Sequence, residues 1–222
     1  MADLLAKSPA AILKWHGSFT IGDSLSDAFN NTQALEIMEM PLGTTMGAMN
    51  WADVGFCALA AGDVERASEL FQKGLTDSNA VKYLARPLLL VGSAFVALAN
   101  GDSDEAAKLV AEALEYVEER AMKNFYPLVA FAGAQVNAAW GHEQEALDSF
   151  SRAEKLALEL QMRPLVWQSR AGAAQVLSGA GRASEAEAKR SDAREMIEEI
   201  AGLFEDEELR GMFLESAMGK LA

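Results

Sequence analysis

The chain has 222 residues, half of them apolar and 23% charged, enough to bury a substantial core in one domain or two. Its formal charge of −14 sets it against phosphate backbones and anionic membrane surfaces, so neither nucleic acid nor membrane is an expected partner. A single cysteine, Cys57, excludes an internal disulfide and, with only two histidines, a thiolate zinc centre; it fits a reducing, cytoplasmic compartment.

In chain order, residues 1–47 read as a degenerate first hairpin with helices at about 8–19 and 24–38. Gly22-Asp23 followed by Ala28 echoes Gly62-Asp63 and Ala67. The stretch 38–50, with Pro41, Gly43 and Gly47, is the least helical and forms an irregular linker. From 48 to 203 four clear units follow. Their first helices span Ala48–Ala61, Pro87–Asn100, Pro127–Trp140 and Leu165–Ala180, each about four turns. The later second helices are longer, at Glu105–Lys123, Glu143–Leu160 and Glu185–Leu203. Residues 204–222 supply a capping helix, Asp206–Leu221, with Leu209, Met212, Phe213 and Leu221 on one face.

A ruler laid along the chain shows the period. Glycines at 62, 101, 141 and 181 are 39, 40 and 40 residues apart, and each is followed five residues later by Ala67, Ala106, Ala146 or Ala186. Seven residues further on stand Gly74, Ala113, Ala153 and Ala193, again small. The turn glycine tolerates the left-handed conformation that ends a helix. Asp63, Asp102 or Ser103, and Ser184 then stand where a side chain caps the next helix. The alanine lets two antiparallel helices approach closely. Pro-Leu pairs at 41–42, 87–88, 127–128 and 164–165 mark the entries to hairpins, since proline is suited to a helix's first turn. One hairpin cannot bury both of its faces, so neighbours must stack.

Trp51-Ala-Asp-Val54-Gly55-Phe-Cys-Ala58, with Ala67 and Phe71 downstream, resembles the tetratricopeptide (TPR) signature of Trp, Leu, Gly and Tyr, then Ala and Phe. Val54 replaces the leucine and Ala58 the tyrosine. Later units keep Ala146 with Phe150, whereas Ala106 is followed by Val110 and Ala186 by Arg190. The unit of about 40 residues is similar to the long TPR arrays of bacterial signal-transduction ATPases and MalT-like transcription activators. The tail, Ala193–Ile200 and then Glu205–Leu214, is similar to the closing segment of such proteins. The resemblance covers roughly residues 48–222. It implies an all-α fold: a right-handed superhelical stack of about five antiparallel helix hairpins, a TPR-like solenoid, with a C-terminal capping helix.

No catalytic motif stands out: there is no phosphate-binding GxxxxGK[ST] loop, no HExxH and no GxSxG. Gly179-Ala-Gly181-Arg is explained by a turn between helices. Cys57, mid-helix between Phe56 and Ala58, reads as a buried inert thiol, and His142 as a solvated turn residue. Glu115–Glu119 and Glu205–Glu208 read as solvated stripes. Trp51, Trp140 and Trp167 read as packing residues. No enzyme, cofactor or metal is expected. The apolar stretch Pro87–Ala99 is too short to span a membrane, and Asp3, Lys7 and Pro9 break any export signal.

What remains is surface. In TPR arrays the first helices line a concave groove. By the resemblance that face carries Met49, Asp53, Phe56 and Leu59, then Val91, Phe95 and Leu98, then Phe131, Gln135 and Ala138, then Gln168, Ala171 and Gln175. For Phe95 and Phe131, groove and inter-helix core are both open readings. Three roles fit: a non-catalytic interaction or regulatory scaffold in bacterial signalling or transcriptional regulation, a sensor of hydroxyl-rich small molecules, or a self-association module. As a scaffold it would bind a peptide, helix or partner domain, with its acidity favouring basic partners.

Overall fold

The computed structural model describes residues 10–13, 17–20, 45–76 and 84–221. The chain divides into two compact units, 1–100 and 101–222.

In the first unit, strands β1 (Ala10–Leu13) and β2 (Gly17–Thr20) pair antiparallel, with Ala10 opposite Thr20 and Leu13 opposite Gly17. This corrects the expected helix at 8–19. Ile12, Phe19 and Thr20 are β-branched or aromatic residues, which favour extended backbone, and Gly17 weakens a helix. The expected helix at 24–38 and the linker's Pro41 and Gly43 lie outside the described residues, but Gly47 and the rest of 45–50 are helical, a correction to the irregular linker expected over 38–50.

Helix α1 (Thr45–Ala60) then packs on α2 (Val64–Thr76), and both pack on α3 (Ala85–Ala99). Gly62, at φ +81°, closes the first turn: the Asp63 N–H donates to Ala58 O at 2.9 Å and the Gly62 N–H to Leu59 O at 3.0 Å. Asp63 then caps α2, accepting the Arg66 N–H at 3.0 Å. Helix α2 is amphipathic and buries Ala67, Leu70, Phe71 and Gly74. The Phe71 ring lies so close to Gly55 of α1 and Gly92 of α3 that a methyl group at either glycine would collide with it.

In the second unit, α4 (Ser103–Glu119) leads through a 3-10 turn (Lys123–Phe125) to α5 (Tyr126–Ala139). Then come α6 (Glu143–Glu159), α7 (Arg163–Gly179), α8 (Ala183–Ala201) and α9 (Glu207–Gly219). Each helix packs on the next up to the α7–α8 hairpin, which α9 covers from the α8 side; α5 also touches α7. First helix against second, and first against the next first, is the packing of TPR-type hairpins. The fold of the helical part is of that type and all-α. Pro127 and Pro164 stand in the opening turns of α5 and α7 as the Pro-Leu spacing requires.

Ala67, Ala106, Ala146 and Ala186 are each the fourth residue of a second helix, and each is wholly buried. Ala113, Ala153 and Ala193 are equally inaccessible two turns on. These positions, together with Gly74, hold the helix pairs close enough for Phe71 and Phe150 to fill the space between neighbours. In the second unit Phe150 presses on Gly172 as Phe71 presses on Gly92.

Asp102 is the cap of α4, accepting the Glu105 N–H at 3.0 Å. Ser184 is not a cap: it lies inside the first turn of α8, and the residue at the cap position is Arg182. The Arg182 guanidinium instead grips Glu185 through both carboxylate oxygens, at 2.7 and 2.8 Å, and reaches Glu143 at 3.0 Å.

Three further expectations are corrected. Cys57 is exposed, because its side of α1 faces away from α2 and α3. Trp140 is 42% exposed at the end of α5, its indole N–H donating to Asp104 at 3.2 Å and its ring beside His142. Trp167, by contrast, is buried in the last core cluster, and Trp51 packs against the core of the first unit. On α9 the packed stripe runs through Phe213, Leu214 and Ala217, with Leu221 beyond it, whereas Leu209 and Met212 turn outward at 53% and 39% exposure. At about a hundred degrees per residue, Met212 stands well round the helix from Ala217.

Candidate interaction surface on the first helices

A first helix is gripped by its own second helix on one side and by the neighbouring hairpin on another, which leaves a third face. On α1 that face carries Met49, Phe56 and Leu59, each half-buried against the core, with Asp53 exposed. Partial burial raises the Asp53 carboxyl above its ordinary value. It also raises the Cys57 thiol one turn on, to which the Asp53 charge adds.

On α3, Phe95 is half-buried and its ring meets Phe56 edge to face at 6.4 Å, while Phe56 meets Phe71 at 5.3 Å. Leu98 is half-buried. Val91 is wholly buried and belongs to the core, a correction to its expected place on the surface. It lies one residue before Gly92, in the segment that packs on α2.

In the second unit Phe131 is 8% exposed and packs edge to face on Phe150 at 5.8 Å, so core is its place. Ala171 is likewise buried. Gln135 and Gln168 are half-buried and Gln175 is exposed. Gln135 and Gln175 come together at a half-open cavity of about 440 Å³; Gln168 does not line it. The cavity is walled by Gln135 and Ala138 of α5 and by Gly172, Gln175, Val176 and Gly179 of α7, with Gly141, Ala180 and Glu143 closing the turn end.

Glycine and alanine at 179 and 180 leave the C-terminal end of the α7 wall low, and a side chain at Gly179 would meet nothing within 4 Å. Glu143 is the one ionisable residue in the lining. The sequence-based reading missed Glu143 and the α7 small residues. Only Gly172 had a signal, as the partner of Phe150: it follows that residue by 22 as Gly92 follows Phe71 by 21.

Carboxamides both donate and accept, a carboxylate accepts, and the apolar walls exclude water from a bound group. Among the described residues no three His, Cys, Asp or Glu side chains converge as metal ligands. None of the described helices is long and apolar enough to cross a membrane.

No family model matches the sequence, and no curated protein matches it. Solved structures do resemble it. One is a single-substitution variant of a chain of nearly identical TPR-like repeats from a candidate kinesin light chain of Podosopora anserina, 16% identical, with a TM-score of 0.49 over 78% of this chain and 86% of that one. The form without that substitution gives a TM-score of 0.47 over the same shares. A tetratricopeptide repeat protein from Parabacteroides merdae is 14% identical, with a TM-score of 0.32 over 87% of this chain and 92% of that one.

Proposed function

We propose that the protein is a non-catalytic interaction scaffold whose first helices receive a peptide, helix or partner domain. The observation that carries the reading is the open face of α5 and α7. There two glutamines and a carboxylate border a cavity in an otherwise closely packed helix stack. The Phe56–Phe95 pair on α1 and α3 offers a second, apolar anchor of the kind that concentrates binding energy. An acidic chain favours a basic partner.

The long second helices, 17 to 19 residues in the second unit, support a regulatory module of the bacterial signalling-ATPase or MalT-like type, acting in the cytoplasm. The test is partner capture by the intact protein and by Gln135→Arg/Gln175→Arg, substitutions at the half-buried and the exposed glutamine of the cavity lining, whose circular dichroism should match the parent. Loss of the partner is expected. Undiminished recovery would overturn the site.

The same cavity favours a second reading, the sensing of a small polar ligand, since glutamine pairs suit hydroxyl groups. A sugar or polyol that raises the melting temperature of the parent but not of Gln175→Ala would select it.

A further inference from the structure

We infer that the cavity between α5 and α7 recognises an alkylammonium group, the chemistry of a lysine side chain or a free aliphatic amine. The inference rests on the scaffold reading only in its choice of a basic partner; the donor and acceptor arrangement stands by itself.

A primary ammonium presents three N–H donors and no acceptor, on a flexible apolar stem. The cavity offers the complement. Glu143 gives one carboxylate oxygen to Arg182, at 3.0 Å, and no protein group among the described residues takes the other. The Gln135 carboxamide has no protein hydrogen bond among the described residues. That of Gln175 uses only its N–H, donating to Lys220 O at a long 3.5 Å, so its oxygen is free to accept. Three side chains that line one space therefore each keep an acceptor oxygen that no other described residue takes. Ala138 and Val176 supply apolar wall for the methylene stem.

Charge agrees. Arg182 is shared between Glu143 and Glu185, so two carboxylates face one guanidinium and the turn keeps a net negative charge. Residues 101–222 hold 23 acidic side chains against 13 basic ones. An anionic ligand would meet repulsion here, and a neutral hydroxyl would leave the charge of Glu143 unused.

The probes are n-butylammonium, Nα-acetyl-lysine methylamide, its Nε-acetylated counterpart, and the peptide Ala-Ala-Lys-Ala-Ala, titrated into the full chain by amide-resolved NMR. Shifts confined to the cavity residues are expected with the charged probes, with at least tenfold weaker binding after Nε-acetylation. Glu143→Gln should weaken the charged probes about tenfold. Arg182→Gln frees the carboxylate and should tighten them several-fold. A purely structural role for the turn pair would make both variants weaker together, which overturns the assignment. So would equal binding of the acetylated probe, or no binding by any amine. The peptide binding at least tenfold tighter than butylammonium assigns the group to a partner's lysine; equal binding assigns it to a free amine. Amines that fail while partner capture persists would remove this inference and leave the scaffold standing.

Discussion

Phe150 fills the seam between α6 and α7 because residue 172 has no side chain. The pairing of sizes repeats along the chain: Phe71 precedes Gly92, Val110 precedes Ala132, and Phe150 precedes Gly172. At both phenylalanines the large ring meets a residue without a side chain, and where valine stands in the phenylalanine's place the equivalent residue is alanine. Gly172→Ala should therefore destabilise the protein by about 1–2 kcal/mol, overpacking outweighing the gain in helix propensity. Gly133→Ala is the contrast. Its new methyl would meet only Val110, at an ordinary 3.8 Å, so a stabilisation of up to about 1 kcal/mol is expected. Urea unfolding of the two variants reads the opposite signs.

Cys57 tests the electrostatics of α1. It is exposed, yet partial burial of the thiol and then the Asp53 charge raise its pKa. At pH 8 alkylation by iodoacetamide should run slower in the folded protein than in urea, and Asp53→Asn should speed the folded reaction several-fold. Equal rates in parent and variant would refute the influence of Asp53.

Among elements, the turns divide into two kinds. From first helix to second, glycine takes the left-handed residue at 62, 101, 141 and 181. From second helix to first, Ala121 and Gln161 take it, at φ +51° and +57°, and the same closure follows: Met122 N–H to Val117 O at 2.9 Å and Met162 N–H to Ala157 O at 2.8 Å. These two turns are also 40 residues apart, but without a glycine nothing in the sequence announced them. A side chain at positive φ is strained. Gln161→Gly should gain about 0.5–1 kcal/mol, seen as a higher melting temperature, after allowance for the greater freedom of glycine in the unfolded chain. At the end of α8 the pattern stops: Gly202 has φ −64°, and the chain passes on to α9.

At the scale of the whole second unit, α6, α7 and α8 are tied by one carboxylate. Glu154 accepts from Arg170 Nε at 2.7 Å and from Lys189 Nζ at 3.1 Å, while Arg170 also donates to Asp192 O at 2.9 Å. Burial alone would raise the Glu154 pKa, but the hydrogen bonds and charges of Arg170 and Lys189 outweigh it and hold the carboxyl below its ordinary value. A depressed carboxyl stabilises the fold above its unfolded pKa, and the contribution disappears as pH falls through the lower folded one. The parent should lose more stability than Glu154→Gln between pH 6 and pH 3, by up to about 2 kcal/mol, the most one carboxyl can contribute over that range. Parallel pH profiles of the two would show the cluster to be inert.

The hairpins, their turns at glycine and the buried alanines were legible because they follow from local rules: 3.6 residues per turn, one left-handed residue per reversal, and one small side chain where helices cross. Glu143 and Gly172 were not legible as neighbours, nor were the outward turn of Leu209 and the inward turn of Phe131. They depend on the angle at which one helix meets another, and a difference of one residue rotates a side chain by about a hundred degrees. Periodicity by itself determined which segments pair and where their backbones approach. Only the tertiary packing decided which side chains a neighbour covers and which remain to line a cavity, because burial is a property of two surfaces in contact and each segment carries only one.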